Sequence, residues 1–368
     1  MLNGEFEPDK LREAILNGGI RKDFKQRQKE DRTQRKWAEE ERESKNDKKG
    51  SKPTFLRPQD IAGDYDFKRA LRTTLGMPEG ETRVMTQEDL QAFAANVKQM
   101  QQAYKGGISV DQVISLSNQD DIDRANKQIH VALPQRRESG VVYFITNASR
   151  KEGKLKANSP QYYHVNVEFL AFNELVFNPD RVKATTVQNR LSKGKVKFEC
   201  NCGRFKYWFR YLNTVAGTVL GREEGGFPKI RNPNMTGIAC KHILRVMHYI
   251  KSQQGQHYLK TALENERKKQ VGVRVRSSKT ALEQQLNEQL VRANTKRNVI
   301  KPNLMREVAK LEAKAQAAAK ALMRKRNAIE TKEQKMMRYK RLLKDKDVTR
   351  QEYNDLVKRL EVNHAKAN

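Results

Sequence analysis

The 368-residue chain holds three cysteines, and all of them lie within 41 residues, in the short motifs Cys200-Asn201-Cys202 and Cys240-Lys241-His242. An odd number of thiols cannot all pair as internal disulfides, and a Cys-x-Cys answered by a Cys-x-His is a ligand pattern. The flanking residues say what carries each half. Residues 195–202 alternate polar and apolar, and a strand's period of two puts Val196, Phe198, Cys200 and Cys202 on one face, the two sulfurs side by side at a strand end. After the second pair, Ile243, Val246, Met247 and Ile250 form a helical stripe, so Cys240 and His242 stand at a helix entrance. A Cys3His set suits tetrahedral zinc, with sulfur at about 2.3 Å and imidazole nitrogen at about 2.1 Å. Four protein ligands make one such ion structural, with no open position for activating water. Three buried free thiols beside an unrelated histidine is the alternative. His248, six residues beyond His242, is the rival ligand and reads as a helix-surface residue.

The rest of the chain divides by pattern. Residues 1–55 are dominated by charged and amide side chains, with Phe24 and Trp37 the large apolar residues of 23–49, and read as a solvated helix or disordered arm. Residues 56–132 read as helical. Thr86 sits three before Asp89, Leu90, Phe93, Val97 and Met100 follow at helical spacing, Gly106-Gly107 closes that helix, and Ser109 opens another. Strands begin near Gly140. In 162–169, Tyr163, Val165, Val167 and Phe169 alternate with His164, Asn166 and Glu168, which places His164 on a solvated face; 150–160 reads as a hairpin loop. The expected fold class is α+β: a small central sheet with its zinc module over 140–252, helices before it, and basic helices over 258–368.

Cys-x-Cys, a spacer, then Cys-x-His entering a helix, all preceded by strands, resembles the SWIM zinc finger, most closely over 195–250. The resemblance implies a ββα module that binds DNA or protein as an accessory to other machinery; similar modules occur in chromatin-remodelling ATPases, transposase-related proteins and bacteriophage proteins. The 37-residue spacer between Cys202 and Cys240 is long for that family, and the resemblance implies that its 221–236 stretch is a tolerated insertion.

Charge points to a partner. Lys and Arg number 74 against 44 Asp and Glu, a formal net charge of +30, while hydrophobic residues make up only 37% and aromatics 7%, which argues for one modest core with solvated helices around it. A polyanion is the default partner of such a chain, because each neutralised phosphate releases counterions. Arg204, Lys206 and Arg210 interleave with the aromatics of 205–211. Those rings fit a core helix through Phe205, Trp208, Phe209 and Leu212, with base stacking the alternative. Arg204, Lys206 and Arg210 would then line an exposed face beside the zinc. Lys193, Lys195, Lys197 and Lys241 extend this to a candidate nucleic-acid patch, against the plainer reading of a solvated strand face.

After Pro302, Leu304, Val308, Leu311, Ala315, Ala318, Leu322 and Ile329 follow a heptad seam, which suggests a coiled coil and homo-oligomerisation or packing on the same chain. Thr349 and Glu352 form a capping box ahead of a short helix, with 344–348 as a turn. No phosphate loop, nucleophile elbow or His-Glu-x-x-His is present, so no enzyme is expected. No secretory signal opens the chain and no run approaches the roughly 20 apolar residues of a membrane span. The expectation is a cytoplasmic, zinc-stabilised nucleic-acid-binding protein, DNA foremost, with no membrane and no small-molecule substrate. The alternative is a scaffold, such as a phage virion component, that uses the zinc module for protein contacts.

Overall fold

Alternating apolar residues and short turns build an antiparallel sheet that sorts its side chains onto two faces. The computed structural model describes residues 7–20, 29, 32–33, 55–69, 71–104, 107–149, 160–178, 183–269, 274–293, 295, 298–303, 305, 332–345 and 348–365. It forms two compact units, Met1–Asn303 and Leu304–Asn368.

In the first unit, β3 (Ile108–Ser109), β4 (Ala132–Glu138), β5 (Val141–Asn147), β6 (Tyr162–Phe169), β7 (Lys195–Cys200) and β8 (Arg274–Arg276) make a six-stranded sheet in the order β3-β7-β6-β5-β4-β8. A separate two-stranded ribbon pairs β1 (Arg72–Thr73) with β2 (Arg83–Val84). The β5–β6 pairing runs from Val141 opposite Glu168 to Asn147 opposite Tyr162, the hairpin expected from the sequence. The register of β7 on β6 sets Cys200 opposite Val165 and Phe198 opposite Val167. One face therefore presents Val142, Phe144, Val165, Val167, Phe198 and Cys200 to the larger apolar cluster.

Helices pack around the sheet. They are α1 (Pro8–Leu16), α2 (Pro58–Ala62), α3 (Gln87–Tyr104), α4 (Val110–Ser115), α5 (Gln119–Gln128), α6 (Phe172–Phe177), α7 (Arg210–Val215), α8 (Lys241–Lys251), α9 (Gln253–Lys269) and α10 (Lys279–Arg292). Shorter helical turns complete the set, among them Ala184–Thr186 and the π-helical Val187–Ser192 and Phe205–Phe209. The start of α3 is as its sequence predicts: Asp89 accepts from the Thr86 backbone N–H at 2.9 Å and pairs with Arg83 at 2.6 Å. The Arg83 hydrogen bond holds the Asp89 carboxyl below the usual range. At α4, Ser109 and Gln112 cap each other. Lys241–Lys251 lies on the apolar sheet face with Ile243, Leu244, Val246, Met247 and Ile250 all buried.

Four expectations need correction. His164 is buried, not solvated, because the second sheet face is covered too; its ring meets Tyr162 edge-on at 5.7 Å. The 221–236 stretch is part of the core and not an appended insertion. Phe227 is buried, packs 4.4 Å from Phe93 and exchanges backbone hydrogen bonds with Leu56 at 2.9 and 3.0 Å. Lys229, 1% exposed, gives its ammonium to the Arg72 carbonyl at 2.8 Å. Within the charged 1–55 stretch, α1 turns Leu11 and Ile15 into a second apolar cluster with Leu133, Ile145, Leu282 and Leu286. Finally, the chain past 258 returns to the first unit: Leu259 and Leu263 are buried, Glu266 forms a fully enclosed ion pair with Arg137, and β8 adds to the sheet through β4.

The second unit contains α11 (Lys332–Lys344) and α12 (Arg350–Ala365), which pack on each other as a hairpin. The capping box is formed, with Glu352 accepting from Thr349 N–H at 2.8 Å and Thr349 Oγ1 accepting from Glu352 N–H at 3.3 Å. Apart from Met305, described in isolation, the residues of the 304–329 seam lie outside the described residues. No helix among the described residues is long and apolar enough to cross a membrane.

Candidate metal centre

Cys200 is the last residue of β7, and Asn201 fixes the exit from that strand. Its side-chain oxygen accepts from His164 N–H at 2.9 Å while its own N–H donates to the His164 carbonyl at 3.2 Å. The backbone then folds around sulfur: Cys202 N–H donates to Cys200 Sγ and Phe205 N–H to Cys202 Sγ, both at 3.4 Å. From the other side, Cys240 is the N-cap of α8 in extended geometry, and His242 lies in the first helical turn.

These two termini bring the donor atoms of Cys200, Cys202, Cys240 and His242 within 4.8 Å of one another. Cys200 Sγ and Cys240 Sγ stand 3.9 and 4.0 Å from His242 Nδ1. Zinc bond lengths of about 2.3 Å to sulfur and 2.1 Å to nitrogen require tetrahedral edges of roughly 3.6–3.8 Å, so these two edges need only a slight contraction and the widest about 1 Å. Exposure of the four runs from 0% to 3%, and the Tyr163 ring covers the imidazole at 4.4 Å between centroids. It is the one cluster of His, Cys, Asp and Glu side chains with metal-ligand spacing among the described residues.

The electrostatics fit a cation. Burial, followed by the neighbouring sulfurs, pushes the Cys200 thiol up, and burial does the same to Cys240. Burial acts to raise Cys202 as well, but hydrogen bonds from Cys200, Cys240 and His242 outweigh it and hold that thiol below its ordinary range. Three enclosed sulfurs cannot all be thiolates unless a positive ion sits among them. The chemistry of the donor set therefore matches a metal ion held by these four side chains.

The cations expected around the centre divide into two groups. Arg204 is bound to Asp121 through two bonds of 2.9 and 3.2 Å and lies over the Trp208 ring at 4.5 Å. Arg210 does not line an exposed face: it is 3% exposed, held between the Phe205 ring and Glu199. Lys241 is half-buried, donates to Gln128 Oε1 at 2.6 Å and to Ser149 Oγ, and burial lowers its pKa. Lys193 and Lys195 are exposed and Lys197 and Lys206 half-exposed. Of the expected core face, Phe205, Phe209 and Leu212 are buried and Trp208 is half-buried against them, while Tyr207 is turned outward. His248 stands apart from the four ligands, toward the other end of α8.

The residues that sequence reasoning missed are the partners, Asn201, Asp121, Gln128 and Glu199. Asn201 carried a signal, lying between two ligands where an Asx side chain often caps a turn. Asp121 carried none, since 83 residues separate it from Arg204. No family model, curated protein or solved structure matches the chain.

Proposed function

We propose that the protein is a non-catalytic, nucleic-acid-binding accessory protein whose central fold is fastened by one structural zinc ion on Cys200, Cys202, Cys240 and His242. The observation that carries the reading is the enclosure of a complete Cys3His donor set between a strand end and a helix start. Zinc prefers such a set over hard cations, which take oxygen ligands. The same order, strand, Cys-x-Cys, Cys-x-His, helix, supports the likeness to the SWIM zinc finger. With every ligand position filled by protein, the ion ties β7 to α8 and offers no site for substrate.

Nucleic-acid binding rests on the +30 charge and on the cations left outward once the internal pairs are subtracted. Lys193, Lys195 and Lys197 then carry the patch, while Arg204, Arg210 and Lys241 support the fold. The 304–368 segment, basic and patterned for helix packing, is the candidate for self-association or protein contact.

The test is fluorescence anisotropy of the zinc-loaded chain with single-stranded DNA, duplex DNA and RNA across a salt series. Log affinity should fall linearly with log salt, and changing Lys193, Lys195 and Lys197 to Gln should reduce the slope by about 2–3. No binding at low salt would retire the nucleic-acid reading and leave the basic surface to a protein assembly, as in a virion scaffold.

A further inference from the structure

The helix that begins at the metal ligands ends at a cavity. His242 and Tyr249 stand seven residues apart on Lys241–Lys251, roughly 10 Å along the axis. At the far end a groove of about 670 Å³ is lined by His130, Arg245, His248, Tyr249, Gln254 and Arg292, among others. That volume falls within the range of about 300–1,000 Å³ usual for small-molecule sites.

Two enclosed donors on its wall lack an acceptor among the described residues. Tyr249 is 5% exposed and its hydroxyl makes no hydrogen bond. Arg245 is 3% exposed and its Nε is unpaired. Its two amino groups are already committed, Nη1 to Asn298 O and Oδ1 at 2.8 and 3.0 Å and Nη2 to Ala125 O at 3.0 Å. Buried donors are nearly always satisfied, so two left open on residues that line the same cavity point to a ligand.

The surroundings give that ligand its sign. Among the described residues no aspartate or glutamate lines the cavity, and Arg292 is an exposed residue of its lining. Glu288, one residue from the lining Gln289, has both oxygens engaged by the amides of Gln254 and Gln284, at 2.8 and 3.1 Å. Burial, with Tyr258 and Glu288, pushes the ionisation of Tyr249 up, so the hydroxyl keeps its proton. The first two residues of Gln253–Lys269 also line the cavity, which puts the positive end of a 17-residue helix at the wall. The opposing carbonyls at the end of α8 are occupied, since Ser252 donates its N–H to His248 O and Tyr249 O and its hydroxyl to Tyr249 O.

We propose that this cavity binds a small oxyanion-bearing ligand, its phosphate or carboxylate group received by Tyr249 Oη, Arg245 Nε and the Arg292 guanidinium. The site stands independently of nucleic-acid binding. Burial, reinforced by the Arg245 charge, lowers His130 to about 4, so its ring enters as a neutral imidazole near pH 7.

Calorimetric titration of the zinc-loaded full chain with inorganic phosphate, adenosine monophosphate and citrate tests it. At least one should bind saturably at one per chain. Phosphate and the nucleotide without citrate would identify the phosphate group; citrate alone would identify carboxylate. Arg292→Gln and Tyr249→Phe should each weaken that binding about tenfold with the melting temperature kept, because charge-assisted hydrogen bonds are lost. Lys98→Gln, exposed on α3, should leave it unchanged. Absence of saturable binding by all three anions overturns the proposal. So does equal weakening by Lys98→Gln, which marks diffuse attraction to a basic chain.

Discussion

The sheet face that carries Cys200 and the face that carries Ile145 are filled in different ways. On the first, elements from residue 56 to residue 300 converge, and sulfur and imidazole sit among Val165, Phe198, Phe205 and Leu244. On the second, among the described residues, α1, Ile20 and α10 lie over Leu133 and Ile145, and the joint is aliphatic apart from Tyr162. Its polar contribution is the Gln289 amide, which accepts from Ala132 N–H at 2.7 Å and donates to Ala132 O at 2.9 Å. The Ile145 face can form by ordinary burial of apolar area. The Cys200 face encloses three sulfurs that cannot all ionise without a cation among them. The comparison teaches that metal should control one face far more than the other, although both share β4, β5 and β6.

Loss of the metal is the largest expected effect. Structural zinc contributes about 10–16 kcal/mol of apparent binding energy in small fingers at neutral pH, so chelation or Cys202→Ser should unfold the elements packed on the Cys200 face of the sheet. Hydrogen exchange should show protection lost first at 195–200 and 241–251. Equal and simultaneous loss over α1 and α10 would break the comparison by making the faces one cooperative body.

Glu266→Ala should come next. It strands the Arg137 guanidinium, whose partner is as enclosed as it is, and breaking a buried pair in this way costs about 3–5 kcal/mol. Urea unfolding should report the loss with metal content unchanged. Leu286→Ala, at 0% exposure in the second cluster, should cost about 2–5 kcal/mol and also leave the metal in place. If zinc were released by Leu286→Ala in the folded protein, the two faces would not be separable. The smallest effect belongs to Thr349→Ala, which removes one cap of Arg350–Ala365 at about 1 kcal/mol. It should raise exchange only in the first turn of that helix.

What could be read in advance was local. The alternation of 195–200, the stripe of 243–250 and the caps at Thr86, Ser109 and Thr349 each lie within one element, and each is present as expected. The four residues of the candidate metal site were legible because their chemistry is rare and their spacing defines a strand end and a helix start. What could not be read was long-range. Arg204 and Lys241 looked free because Asp121 and Gln128 lie 83 and 113 residues away. Leu11 and Ile15 have helical spacing, but nothing in a charged stretch announces α10 as their partner. The 221–236 stretch hides its core role because Phe227 and Met235 stand among glycine, proline and lysine, and β8, Arg-Val-Arg, offers too few apolar positions to show a period.

X-ray absorption at the zinc edge, with metal analysis of the purified full chain, tests the central claim most directly. The closed centre predicts one zinc per chain, with about three sulfurs near 2.3 Å and one nitrogen near 2.1 Å. A chain that folds natively without metal, and whose three cysteines react freely with a thiol reagent, would contradict it.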